Sequence, residues 1–242
     1  MSRPTNVPSG SVASLADFEF AALEEACNYR RALVRQFAPR LRGRVLEIGA
    51  GIGQLTGAIR ALPDLTEVVS VEPEPRFWPI FRAANQGQTL IEGTVSQVPS
   101  GGAWDAILSV NVLEHIRDDE AELRAYFHLL APAGGSLCLF VPARAEIYAP
   151  IDRDFGHFRR YDRTELGARL RHAGFAVDRI HYFNLAGYFG WWLNFRILRK
   201  RRFDATAVRW FDRFIFPPTH WMETCVAPPP VGQSLLVIAR AR

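Results

Sequence analysis

Three glycines at alternate positions, Gly49, Gly51 and Gly53, follow directly on the apolar run Val45-Leu46-Glu47-Ile48. Glycine has no Cβ and tolerates positive φ, so such a loop lets the backbone come close to a bound group. A helical pattern begins at Gln54. The start of a helix turns unpaired N–H groups and a partial positive charge toward the loop. This is the chemistry of holding a nucleotide-like ligand. Two acids narrow the ligand. Glu47 lies inside the strand, two residues before the loop, and Glu72 ends the next apolar run, Glu67-Val68-Val69-Ser70-Val71. A fixed carboxylate at Glu47 repels a pyrophosphate and attracts an ammonium group, while Glu72 is placed to accept hydrogen bonds from two ribose hydroxyls. The dinucleotide spacing G-x-G-x-x-G is not met, because Gln54 stands where its third glycine belongs. A nicotinamide enzyme is therefore the weakest reading. A ligand with ribose and ammonium but no phosphate fits both acids, and S-adenosylmethionine is such a molecule.

Moving a methyl group from a sulfonium is an in-line displacement, and a hydroxyl acceptor gains from a general base. His115 is the first candidate. It follows the fourth strand in Asn111-Val112-Leu113-Glu114-His115, at the carboxyl edge where open α/β sheets bind ligands. A role in capping or orienting that loop stays open beside it. A second cluster follows the fifth strand: Tyr148, Asp152, Asp154, His157, Arg159, Arg160 and Tyr161. Arginines suit an anionic acceptor; a loop held by its own ion pairs is the alternative. The reading takes His115, His157 and Tyr161 as the catalytic set. Tyr148, Arg159, Arg160, Trp191 and Trp192 form the acceptor set.

Four blocks in register resemble the class I S-adenosylmethionine-dependent methyltransferases. They are Val45 to Gly53, Val71-Glu72-Pro73, Trp104 to Ile116, and Leu129-Leu130-Ala131-Pro132-Ala133-Gly134-Gly135. The resemblance spans about residues 28 to 183. It implies that Glu47 and the backbone of Gly49 to Gly53 hold the methionine moiety, that Glu72 holds the ribose, and that Asn111 lies beside the reactive methyl. Tyr29, Ala50, Pro73, Thr94, Val95 and Val112 complete the implied cofactor set. The resemblance also implies no metal, because the acidic pair that holds magnesium in catechol-type relatives has no match: Asn111 stands after the fourth strand. One departure is Gly93-Thr94, where many relatives carry Gly-Asp to read the adenine amino group. Gly156-His157-Phe158-Arg159-Arg160-Tyr161 also resembles a segment of a bacterial methyltransferase subgroup, without naming an acceptor.

The elements that must position these groups alternate strand and helix. Strands are expected at 45–48, 67–71, 89–91, 105–110, 136–141, 175–183 and 234–239. Helices are expected within 17–37, at 55–62 and 75–85, from Asp118 and Asp119 to Leu130, and from a Thr164 cap to Ala173. This order means a doubly wound, mostly parallel, seven-stranded Rossmann-like sheet. Residues 1–14 read as a disordered N-terminus, and 15–242 as a single domain with substrate or lid insertions at about 142–162 and 184–231. The second insertion stands before the last strand, where a short hairpin would suffice, and a segment of that length is structured or functional. It pairs Trp191 and Trp192 with the cationic run Arg199-Lys200-Arg201-Arg202. That combination suits peripheral contact with a lipid surface through 188–202; aromatics packed on the core or on a second copy are the alternative.

Composition sets outer limits. The 242 residues carry a net charge of +4 spread along the chain, with Lys200 the single lysine. Spread charge without a basic tail gives no case for nucleic acid. Three cysteines, Cys27, Cys138 and Cys225, share no C-x-x-C spacing, which suits a reducing cytoplasm. The expected activity is methyl transfer to a small-molecule or lipid-like acceptor, at oxygen, by a monomer or homodimer that is cytoplasmic, with membrane association open. A non-catalytic S-adenosylmethionine-binding partner protein and an RNA methyltransferase are the rival readings.

Overall fold

The computed structural model describes residues 25–99 and 101–241. The expected N-terminal tail and the first part of the expected 17–37 helix lie outside them. Seven strands form one sheet: β1 (Gly43–Ile48), β2 (Leu65–Glu72), β3 (Thr89–Glu92), β4 (Ala106–Val110), β5 (Ser136–Pro142), β6 (Phe175–Phe183) and β7 (Ser234–Ala241). Their spatial order is β3-β2-β1-β4-β5-β7-β6. The pairs joining β1 to β5 are all parallel, and β7 runs antiparallel to both β5 and β6. The doubly wound, mostly parallel sheet is as the alternation of elements implies.

Period-two alternation splits the strand residues between two cores. Leu46, Ile48, Ile107, Leu137 and Leu139 face one side. There they meet Leu123, Tyr126 and Leu130 of the helix α4 (Asp119–Leu130) and Leu166 and Leu170 of α6 (Arg163–His172). Val45, Leu108, Cys138 and Phe140 face the other. There they meet Leu33 and Phe37 of α1 (Cys27–Phe37) and Phe216 of α9 (Phe216–Cys225). β5 is buried at every position, as a central strand covered on both faces must be. Two short helices, α2 (Thr56–Arg60) and α3 (Trp78–Ala84), complete the first half.

Two helix starts differ from the sequence reading. The turn after the glycine loop runs on to Leu55, and α2 begins at Thr56 rather than Gln54. The cap of α6 is Asp162, whose carboxylate accepts the Thr164 N–H at 2.8 Å. Thr164 therefore sits inside the helix, and the ionised side chain before it takes the capping role.

The second insertion is mostly helical. It holds α7 (Leu185–Trp191), a π-helical turn (Trp192–Ile197), α8 (Ala205–Trp210), a second π turn (Phe211–Ile215) and α9. One acid ties the insertion to itself and another locks it to the body. Glu223 on α9 accepts from the backbone N–H groups of Asn184 (3.0 Å) and Leu185 (2.7 Å), at the start of α7. Asp212 accepts from Asn28 (2.9 Å) and Tyr29 (2.8 Å), at the start of α1. Both place a negative charge at the positive end of a helix. A satellite core of Ile147, Ala149, Ile151, Trp191 and Phe195 ties the insertion to the 145–154 segment, which includes α5 (Pro150–Asp154). Among the described residues no helix is long and apolar enough to cross a membrane.

Candidate active site

The strand order reverses between β1 and β4, because the chain builds outward to β3 and then returns to the other side of β1. Open α/β sheets bind ligands at this switch, at the carboxyl ends of the strands. The glycine loop leaves β1 there. Gly49 and Gly53 have φ of 73° and 84°. A Cβ on Gly49 would collide with Val112, and one on Gly53 with Asn85. Both positions thus require glycine for conformation and for space. Gly49 and Ala50 donate to the Val71 carbonyl at 2.9 and 3.0 Å, which fixes the loop over the end of β2.

Glu47 is buried at 3% exposure. Its Oε2 accepts from Thr56 Oγ1 (2.7 Å) and from Ser70 Oγ (2.8 Å). Ser70 is its register partner on β2. Burial pushes the carboxyl up to about 7, against the pull of the two hydroxyls. Glu72 is similarly enclosed. Its Oε2 accepts from Gly51 N–H (2.7 Å) and its Oε1 from Glu74 N–H (2.8 Å). Burial raises its pKa, and those two backbone bonds oppose the rise. Each carboxylate oxygen has a second lone pair, so Glu72 can hold the loop and still accept from ribose hydroxyls. Thr94 sits beyond β3, where its hydroxyl is engaged with Ser96 and Gln97 in a capping box of its own turn. Val95 is buried in the core, and Pro73 follows Glu72 on the rim.

The loop after β4 opens on Asn111, at a φ of 53°, a conformation that residues other than glycine rarely adopt and that clusters at functional sites. Asn111 and Tyr29 line two neighbouring hollows. The small one is lined by Gln54 and Leu55, the two residues that follow the glycine loop. The large one is a cavity of about 400 Å³ under the second insertion. Trp191, Phe195, Phe203 and Phe211 wall it, and Phe155, Glu114, His157 and Arg160 come from the other side. Tyr29 packs edge-on against Phe140 and Phe183, and burial raises its phenol pKa.

Asp152 organises the polar wall. It is fully buried and receives Arg160 Nε at 2.8 Å, Ala149 N–H at 2.8 Å and His157 Nδ1 at 3.2 Å. Its pKa falls below the usual carboxylate range: burial alone would raise it, but His157 and Arg160 together outweigh burial. Arg160 lies 4.4 Å over the Trp191 ring. His115 meets His157 edge-on, with ring centroids 4.7 Å apart. Desolvation first, and His157 second, lower the His115 pKa to about 4, so its imidazole is neutral at neutral pH.

Several expected site residues lie elsewhere. Tyr161 is buried in the core. Its hydroxyl donates to Asp119 Oδ2 at 2.9 Å and to the Leu113 carbonyl at 3.2 Å, so it braces the loop after β4 and does not face the cavity. Arg159 pairs with Asp119 at 2.7 Å and donates to the Arg117 carbonyl, away from the cavity. Tyr148 donates to the His157 carbonyl at 2.8 Å and acts on the site only through that segment. Trp192 is 43% exposed. Successive residues on a helix point about 100° apart, so Trp191 faces in and Trp192 faces out. Glu114 escaped the sequence reading, although it stands next to His115. It is fully buried, and its type at a loop position was the available signal.

Comparison with known proteins shows the family and the fold. Residues 21–180 match the model of a family described as a methyltransferase domain. The chain belongs to that family, and it is a class I S-adenosylmethionine-dependent methyltransferase. A curated relative, the ubiquinone biosynthesis O-methyltransferase of Cereibacter sphaeroides (strain ATCC 17029 / ATH 2.4.9), is 32% identical over 100 residues. The match covers 39% of this chain and 40% of that protein. Among solved structures, a methyltransferase from Bacillus halodurans aligns with a TM-score of 0.58 at 18% identity, covering 88% of this chain and 98% of the other. An S-adenosylmethionine-dependent methyltransferase from Mesorhizobium loti aligns at 0.57 and 17%, covering 89% and 97%. At such identities the likeness concerns the fold.

Proposed function

We propose that this enzyme methylates an oxygen of a small, lipid-like acceptor. The observation that carries the reading is the meeting of two hollows on Asn111 and Tyr29, one beside the glycine loop and one walled by the aromatics of the insertion. A donor held by Glu47, Glu72 and Gly49 to Gly53 presents its methyl at that junction. An acceptor in the aromatic cavity approaches it from the insertion side. Cavities of this kind bind ligands through apolar walls and orient them with a few polar groups. Here those groups are Arg160, Asn184, Gln233 and His157.

The acceptor hydroxyl loses its proton, its oxygen takes the methyl, and the sulfonium leaves as the neutral thioether of S-adenosylhomocysteine. Alignment of the two reactants supplies much of the rate. The groups nearest for the proton are His157 and, behind it, His115. Oxygen as the acceptor atom is supported by the name of the Cereibacter relative, over the 40% of its length that aligns.

A second observation favours an acceptor drawn from a lipid surface. The outer face of the insertion exposes Phe189, Trp192, Leu193, Ile197 and Leu198 beside Arg199 to Arg202. Apolar surface next to a cationic run suits an anionic bilayer interface.

The test is transfer of labelled methyl to paired phenols with and without an apolar tail. Preference for the tailed member, abolished by Trp191→Ala, supports the reading. Equal transfer to both, or transfer only to amines, sinks it.

A further inference from the structure

Glu114, His115 and His157 bring three ligating groups together at the cavity wall. One carboxylate oxygen and one ring nitrogen from each histidine lie within 4.8 Å of one another. Two imidazoles and a carboxylate are a donor set suited to divalent transition metals such as Zn²⁺, Co²⁺ or Mn²⁺. We propose that this cluster is a divalent transition-metal site on the wall of the acceptor cavity.

The fold assembles the cluster from two distant segments. Glu114 and His115 occupy the single 3₁₀ turn after β4, and His157 follows α5. The Phe158 N–H donates to the Glu114 carbonyl at 2.8 Å, and Tyr161 holds the Leu113 carbonyl. The two segments are therefore locked in register beside each other. An incoming cation meets ligands whose backbone is already placed, and little ordering entropy opposes binding.

The surroundings supply what a metal site needs beyond its ligands. A ligating histidine gives its other ring nitrogen to a carboxylate, which fixes tautomer and orientation. Asp152 does this at His157 Nδ1 and leaves Nε2 as the ring atom to ligate. Asp152 is fixed in turn by Arg160 and by the Ala149 N–H. The charges also suit a cation. Glu114, fully buried at the same wall, supplies the carboxylate ligand. Glu114 and His157 line the cavity itself, which puts the acceptor within reach of open coordination positions.

This inference rests on the proposed oxygen methylation for its role and not for its existence. A cation at the cavity wall makes a bound hydroxyl more acidic. With Glu114, His115 and His157 holding the cation, the proton would go to water, the acceptor oxygen would take the methyl and S-adenosylhomocysteine would leave; nothing is oxidised or reduced. The two histidines then act as ligands, against the sequence expectation that no metal is bound.

The full chain, stripped with a chelator, is titrated with Co²⁺, Zn²⁺, Mn²⁺ and Mg²⁺. Bound metal per chain and the visible spectrum of Co²⁺ are the readouts. One equivalent of Co²⁺ is expected, displaced by Zn²⁺ and not by Mg²⁺, because magnesium demands oxygen ligands. His115→Asn and Glu114→Gln should each remove the Co²⁺ spectrum. Asp152→Asn should weaken binding by about 10–100-fold through His157. S-adenosylhomocysteine binding shows which variants have folded, and the His115 variant decides if those at fully buried Glu114 or Asp152 fail. Co²⁺ affinity unchanged in a folded His115→Asn chain overturns the site. Methyl transfer by a chain that binds no cation also overturns it and leaves the proposed function standing. One bound equivalent without transfer to any hydroxyl supports the site and overturns the function.

Discussion

Glu72 accepts the backbone N–H of Gly51 at 2.7 Å. The acid at the end of β2 thus reaches back to the middle of the loop that leaves β1. Its other oxygen takes the N–H of Glu74, so one side chain ties the glycine loop to the start of the next turn. The group expected to recognise ribose is also the group that shapes the loop. Ribose binding at Glu72 would therefore be coupled to loop order.

Glu72→Ala removes acceptors for the ribose and releases Gly51. Loss of a hydrogen bond to a charged group costs about 1.5–3 kcal/mol, so affinity for S-adenosylhomocysteine should fall roughly 10–150-fold. Glu72→Gln keeps one oxygen for Gly51 and should fall by less. Calorimetry on both variants checks this; affinity unchanged in the alanine variant would remove Glu72 from the site.

Glu47 carries a pH dependence with a definite sign. Burial raises its carboxyl from 4.5 to about 7 in the folded chain. The folded state therefore holds this proton where the unfolded chain has lost it. Between pH 4.5 and about 7 stability falls as pH rises, by roughly 3 kcal/mol in total from this group. Cofactor affinity runs the opposite way, because an ammonium group pairs with the ionised form. Affinity should rise by up to about tenfold per pH unit below 7 and level off above it. Glu47→Gln should flatten both profiles. A cofactor affinity that is independent of pH in the parent protein would contradict an ammonium contact at Glu47.

The loop that carries the expected cofactor residues was legible because strand ends and glycine spacing are local signals. Glu47, Gly49, Gly53, Glu72 and Asn111 sit at positions dictated by a strand that stops and a loop that turns. Tyr161 and Arg159 misled for the opposite reason. Their types suit chemistry, but Asp119, 40 or more residues earlier in sequence, captures both. No local pattern reveals which distant carboxylate an arginine will meet. Trp191 and Trp192 illustrate a finer limit. Adjacent aromatics announce an apolar element, and only the helix axis decides which one faces the cavity. Glu114 was missed because a lone acid beside a histidine has no spacing signature until His157 folds against it.

The exposed face of the insertion yields a test of lipid contact. The chain should sediment with vesicles containing anionic lipid and much less with zwitterionic ones, and added salt should release it. Trp192→Ser with Leu198→Ser removes two exposed apolar side chains worth up to about 1.5–3 kcal/mol each on full burial, and vesicle binding should weaken at least tenfold. If the same pair instead abolishes a dimer in sedimentation velocity and leaves vesicle binding unchanged, the face belongs to a second copy of the chain.

Asp212 makes the last prediction, because two similar acids allow an internal comparison. Asp204 caps its own helix, accepting from Thr206 and Ala207 at 2.9 and 3.2 Å on the surface. Asp212 makes the same pair of bonds across the molecule, to Asn28 and Tyr29 of α1, and is 4% exposed. Removing the surface cap costs about 0.5–2 kcal/mol. Removing the buried one strands two N–H groups and a helix start without its charge, for roughly 2–4 kcal/mol. In a chain of this size that corresponds to a fall in Tm of about 4–16 °C for Asp212→Ala, against a few degrees for Asp204→Ala. The difference has a functional edge, since Tyr29 stands where the two hollows meet. Asp212→Ala should therefore also weaken acceptor binding. Equal melting shifts in the two variants would show that the clamp between insertion and α1 contributes no more than an ordinary helix cap.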